Sequence, residues 1–222
     1  MLLSAFSLIK REWVLMRRSK GQWAEPWIFL ILTASLLPML NAEAVKNNPL
    51  LGISLLWISL MMAVMLTFDK GLRQDFHDGV FEQWRLGPNP LWWLVFAKSL
   101  AHWLMWVLPM IILSPLLMVM FSLPSVLMPV TLMGFILGTP VFSFLGLVAS
   151  ALTLNLRASG LLLALIFIPL TVPVLILALS ACASAMADHD VSGHLALLAA
   201  LSVLSMVLLP HASAFGIKVS MN

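Results

Sequence analysis

Apolar runs of about 20 residues or more recur along this chain between short polar breaks. At 1.5 Å per helical residue, each is long enough for the roughly 30 Å hydrocarbon layer of a bilayer. They predict six transmembrane helices, at about 24–41, 49–68, 90–121, 127–153, 160–185 and 194–216, within one membrane domain covering residues 1–222. Ahead of them, Leu2, Leu3, Phe6, Ile9, Trp13 and Met16 fall mostly at three- and four-residue steps, with Lys10, Arg11, Arg17, Arg18 and Lys20 towards the other side or the end. That pattern predicts an interfacial helix over 1–22 lying on the membrane. Asn48-Pro49 and Asn89-Pro90 each read as a capping residue followed by a proline at the first helical position. Pro38, Pro109, Pro115, Pro140, Pro169, Pro173 and Pro210 fall in or at the edges of spans, so helices three to six are expected to bend or break.

Composition excludes a soluble reading. Of 222 residues, 62% are hydrophobic and 9% charged, and the mean hydropathy is +1.05. The N-terminal basic residues follow the apolar ones and no short apolar core leads to a cleavage site, so a signal peptide is not expected. Charge placement then sets orientation. Six spans with the N-terminus inside put eleven basic residues on the inner side and only Lys46 outside, which predicts cytoplasmic termini.

One stretch breaks the apolar pattern. FDKGLRQDFHDGVFEQWRLGPNP, residues 68–90, collects Asp69, Lys70, Arg73, Asp75, Asp78, Glu82 and Arg85 between spans two and three, on the cytoplasmic side of that topology. Leu72, Phe76, Val80, Phe81 and Trp84 fall at helical steps, and Gly87-Pro88 stops the helix. An amphipathic helix of this kind rests on headgroups or docks a protein. Its acidic residues favour the protein, because an anionic leaflet repels them.

RQDFHDGVFEQW, LVFAKSLAHWL, LPMIILSPLL, the run from LGTPVFSFLG to PLTVPVLI, and the terminal PHASAFGIKVS follow one another along nearly the whole chain. In these motifs and their spacing the sequence resembles the haem exporter protein B (CcmB) family. The resemblance implies an all-α, ABC-2-like permease of the bacterial inner membrane, working in cytochrome c biogenesis. Its cytoplasmic coupling helix would engage a separate ATPase subunit, CcmA, through Arg73, Asp75, Asp78, Gly79, Phe81, Glu82 and Trp84. It implies further partners, the membrane subunits CcmC and CcmD and the haem chaperone CcmE, whose haem-loaded form ATP hydrolysis helps to free. A second copy of the chain is expected, since two ATPase subunits each need a docking helix. Direct export of haem, and a scaffold without ATP-driven motion, are the alternatives.

The chain itself carries no G-x-x-x-x-G-K-[ST] loop, so ATP is expected to be bound by the partner only. No H-E-x-x-H, paired-cysteine metal motif, C-x-x-C-H haem attachment site or serine elbow occurs, and no nucleic-acid partner is implied. A non-catalytic subunit with no tightly bound cofactor is expected, haem being admissible at a subunit interface. Lys98 and His102 lie four residues apart on one face of the third span. Three readings stay open for them: Lys98 snorkels to headgroups, His102 bonds a neighbouring helix or subunit, or His102 touches haem. Gly134 and Gly138 form a GxxxG pair, continued by Gly146 and Ser150, that allows another helix to approach closely.

Overall fold

The computed structural model describes residues 10–14, 24–68, 75, 78–154 and 159–220. Among them every regular element is helical: α1 (Glu25–Leu40), α2 (Ala42–Asn47), α3 (Pro49–Leu66), α4 (Val80–Leu86), α5 (Leu91–His102), a π-helical segment (Trp103–Val107), α6 (Leu108–Met120), α7 (Leu127–Thr153), α8 (Ser159–Met186) and α9 (Ser192–Ser220). Residues 10–14 are also helical; the rest of the expected interfacial helix lies outside the described residues.

Five helical stretches are long and apolar enough to cross a membrane: α3, the run from Leu91 to Met120, α7, α8 and α9. The first expected span, about 24–41, is α1 to within a residue at each end, and it is shorter than those five. α1 has 16 residues, or about 24 Å, because Asn41 interrupts the helix and starts another: its side chain accepts from the Ala44 amide at 3.0 Å and caps α2. The two expected Asn-Pro starts also differ in detail. Pro49 takes the first turn of α3, but Asn48 makes no side-chain cap bond. Pro90 is itself the cap of α5, its carbonyl accepting from Trp93 and Leu94.

α7 is the axle of the fold. It packs chiefly against α9 and α8, and from Thr139 to Ala151 every residue is buried. α1 lies along α3, and α9 also touches α5. The helices expected to bend or break differ in their continuity of helical type. α7 runs unbroken through Pro140, α8 through Pro169 and Pro173, and α9 through Pro210. The third span instead changes helical type between α5 and α6, through the π-helical segment just ahead of Pro109, whose missing amide leaves a turn without its donor.

The helix ends sort into two groups. At one end, residue 11 meets Asp75, and α4 packs on Leu91, Leu154 and Ile217. At the other, Gly52 brings Val45, Phe121 and Leu123 together; a Cβ there would lie 2.9 Å from Val45 and 3.2 Å from Phe121.

Candidate functional site

α4 sits at the first of these ends. Gly79 precedes it at φ 69, a left-handed conformation that glycine adopts without a Cβ penalty, and so turns the chain into the helix. The apolar face of α4 points inwards. Val80, Phe81 and Trp84 form a cluster with Leu91, Leu94 and Val95 of α5, Leu147 and Ala151 of α7 with Leu154 beyond it, and Ala214 and Ile217 of α9. Phe81 is 1% exposed and Trp84 9%, their rings meeting edge-on with centroids 5.3 Å apart. These two aromatics, expected to anchor a partner, are therefore seated in the chain's own helices. An apolar face beside three apolar helix ends buries against them. The outward face of α4 and its entry turn presents Asp78, Glu82, Gln83 and Leu86, the last 89% exposed.

Asp75 likewise turns inwards instead of joining that outer face. It is 4% exposed and Lys98 is 6% exposed. Lys98 Nζ donates to Asp75 Oδ2 at 2.5 Å and to Glu12 Oε1 at 2.8 Å, and Arg11 Nη2 donates to Asp75 Oδ1 at 2.7 Å. Arg11 Nη1 stands 3.5 Å from Glu12 Oε1, too poorly placed for a hydrogen bond and buried without one. Two cations and two carboxylates thus close a neutral cluster drawn from three separate parts of the chain. Sealing a lysine and an aspartate from water costs more than an isolated pair returns, so the extra bonds from Arg11 and to Glu12 are what make the arrangement tenable. Arg73 lies outside the described residues.

His102, one turn beyond Lys98, faces different partners. The Thr67 hydroxyl donates to the Val64 carbonyl at 2.5 Å, so its oxygen accepts from His102 Nε2–H at 2.6 Å. That assigns the proton to Nε2 and leaves Nδ1 to accept from the Ser143 hydroxyl at 3.1 Å. The ring also stacks on Phe68, centroids 4.2 Å apart. Both nitrogens being engaged by α7 and the end of α3, the hydrogen-bonding reading of His102 fits, and neither nitrogen is open to a haem iron. Directly after it, Trp103 Nε1 donates to Thr139 of α7 at 3.0 Å.

The glycine row of α7 receives aromatic rings from the same chain. Phe68 lies flat over Gly146, where a Cβ would fall 2.0 Å from the ring, and Trp57 covers Gly138, where a Cβ would fall 3.1 Å from the indole and 2.9 Å from Val174. At Gly134 the nearest approach, again by Trp57, is a normal contact of 3.4 Å. Ser150 extends the row by donating to the Phe68 carbonyl at 3.5 Å.

Residue patterns did not point to Arg11 and Glu12 as partners of Lys98, nor to Thr67 and Ser143 as partners of His102. The available signal was the lysine itself. A lone ammonium inside an apolar run needs a carboxylate, and the acids on its side of the chain are few.

The CcmB protein family profile matches residues 3–220. The chain is similar to heme exporter protein B of Pseudomonas aeruginosa, 42% identical over 215 residues covering 97% of this chain and 96% of the relative. It is also similar to the proteins of that name from Haemophilus influenzae, 34% identical over 97% of each chain, and from Escherichia coli K12, 33% identical over 92% of this chain and 93% of the relative. By that match and by these identities along nearly its full length, the chain belongs to the CcmB protein family.

Proposed function

We propose that this chain is the permease subunit of an ABC transporter complex for cytochrome c biogenesis, and that α4 is the helix through which a separate ATPase subunit, CcmA, acts on it. One observation carries the reading: α4 is seated by its apolar face on the ends of α5, α7 and α9 at once, while its other face stays open. A push on the open face reaches three membrane helices without passing through a flexible linker. Acidic Asp78 and Glu82 beside the exposed Leu86 offer a polar rim around an apolar contact, the usual composition of a docking patch.

Helix α1 counts as a sixth crossing in this reading, since it joins the end that holds residues 10–14 to the end that holds α2. The end bearing α4 and both termini is then cytoplasmic, as the eleven-to-one split of basic residues requires. CcmC, CcmD and a second copy of the chain complete the complex, and hydrolysis frees haem-loaded CcmE. The relatives' name favours a second reading, direct export of haem. The saturated hydrogen bonding of His102 weighs against an iron ligand at the position the third span offers.

Purification of the tagged chain in detergent, from cells expressing the whole operon, tests the proposal. The ATPase subunit should travel with the wild type and be lost from Glu82→Lys/Leu86→Glu, which alters only exposed positions. A wild-type preparation free of ATPase would favour a scaffold, and a double variant that keeps it would move the docking surface elsewhere.

A further inference from the structure

The four-residue ion cluster lies where the α3–α5 connection meets a span with a π-helical segment. Asp75 stands five residues ahead of α4, and Lys98 sits seven residues into the third span, about 10 Å along it. Four residues after Lys98, the helix gives way to the π-helical segment Trp103–Val107, with Pro109 following. α5 is a 12-residue helix. It is held near its middle by Asp75 and Glu12, and it joins a segment whose hydrogen-bond register is already shifted. A π-helical turn inside a span is a natural pivot, because its backbone bonds can re-register without breaking the helix.

We propose that Lys98 is the positioning residue through which motion at the coupling helix enters the third span: the Asp75–Lys98 pair, braced by Arg11 and Glu12, moves α5 with α4 while α6 stays, the span pivoting at Trp103–Val107. Two features support a linkage over a mere fastening. The apolar cluster around α4 draws on three helices, whereas the ion cluster selects one of them. The cluster also includes Arg11 and Glu12, which makes the helical segment at residues 10–14 part of the device and gives the N-terminal region a role beyond resting on the membrane. Thr67 and Ser143 hold His102, the last residue of α5, to α3 and α7, so the pivot end of α5 keeps its place while the end nearer α4 swings.

The inference rests on the coupling function proposed above, and its test is arranged to tell the two apart. Purified wild-type complex in nanodiscs, with its ATPase subunit, is assayed for ATP hydrolysis and for haem-loaded CcmE released per ATP. Absence of the ATPase subunit from the wild type would defeat the coupling proposal itself. Asp75→Asn should retain the ATPase subunit and hydrolyse ATP within about twofold of wild type, yet release per ATP should fall about tenfold, well within the range of coupling between sites. Asp75→Cys/Lys98→Cys on a Cys182→Ala background removes both charges together and should behave likewise. The distance a lysine–aspartate pair spans exceeds what a disulfide tolerates, so a short bis-methanethiosulfonate bridges the two thiols. Bridging should restore release per ATP, and reduction should abolish it again. Unchanged release per ATP in Asp75→Asn would overturn the inference, as would a dicysteine variant that bridging does not rescue. A dicysteine variant that fails to fold would also overturn it, by making the cluster a requirement of the fold.

Discussion

Two regions of the molecule hold helices together by opposite means. At Gly138 and Gly146 of α7 the contact is shape: Trp57 and Phe68 lie in the space left by the missing side chains. At the end bearing α4 the contact is charge and orientation, Lys98 reaching two carboxylates from segments far apart in sequence. A glycine seam resists sliding because any added atom collides. An ion cluster keeps its partners while the backbone around it shifts, since long side chains such as lysine and arginine can follow. The first suits a fixed axle and the second a joint that moves.

Trp84→Ala is the substitution expected to cost most. The indole is seated among three helix ends, and removing it should lower stability by about 3 kcal/mol, seen as a fall in the melting temperature of the purified chain. Glu82→Ala, on the outer face of the same helix, should change melting little and ATPase retention more. Equal melting losses for the two would break the division of α4 into an inner and an outer face.

Lys98→Met comes next. It leaves Asp75 with Arg11 alone, and a broken buried pair costs roughly 3 kcal/mol or more, reduced here by the remaining partner. Asp75→Leu/Lys98→Met should melt closer to wild type than Lys98→Met, because Arg11 and Glu12 then balance in charge, whereas the single variant leaves two carboxylates to one cation. A double variant less stable than the single would mean that the cluster is not held as a charge pair.

The seam should respond in the order of its clearances. Gly146→Ala forces the Phe68 ring away and should cost about 1–3 kcal/mol. Gly138→Ala displaces only the tips of Val174 and Trp57 and should cost less, and Gly193→Ala, facing open space, should cost nothing. Circular-dichroism melts of the three would show whether clearance sets the cost; an equal loss at Gly193 would contradict it.

The smallest effect belongs to Asp190, in the turn before α9. Hydrogen bonds from the Ser192 hydroxyl and amide hold its carboxyl below the ordinary value of 3.8. A depressed folded-state value means a contribution present above 3.8 and lost as pH falls through the folded-state value. Melting temperature followed from about pH 5 to pH 3 should therefore fall slightly more steeply in wild type than in Asp190→Asn.

The helices of the membrane domain were legible because apolar length is written directly in the chain. The run expected at 49–68 is α3 at Pro49–Leu66, and that at 127–153 is α7. The run expected at 24–41 is α1 at Glu25–Leu40, ended by the capping Asn41. The glycine spacing announced a close approach, but nothing local says which aromatic arrives, since Phe68 and Gly146 are brought together only by the fold. The amphipathic pattern of α4 was equally readable, whereas the cover for its apolar face was not: a sequence shows that Phe81 and Trp84 need burying and is silent on whether a partner or the chain's own helices do it. Lys98 presented the same difficulty, its carboxylates lying 23 and 86 residues away.

Site-specific crosslinking at Gln83 tests the central claim, that the outer face of α4 receives the ATPase subunit. With Cys182 replaced by alanine, Gln83→Cys on that exposed face and Ser192→Cys at the start of α9 are each treated with a short bifunctional thiol–amine reagent in membranes containing the whole complex. Gln83→Cys should yield one adduct at the combined mass of this chain and the ATPase subunit, diminished when Glu82→Lys/Leu86→Glu is introduced, and Ser192→Cys should yield none. An ATPase adduct at Ser192→Cys with none at Gln83→Cys would place the ATPase at the opposite end of the molecule and contradict the account.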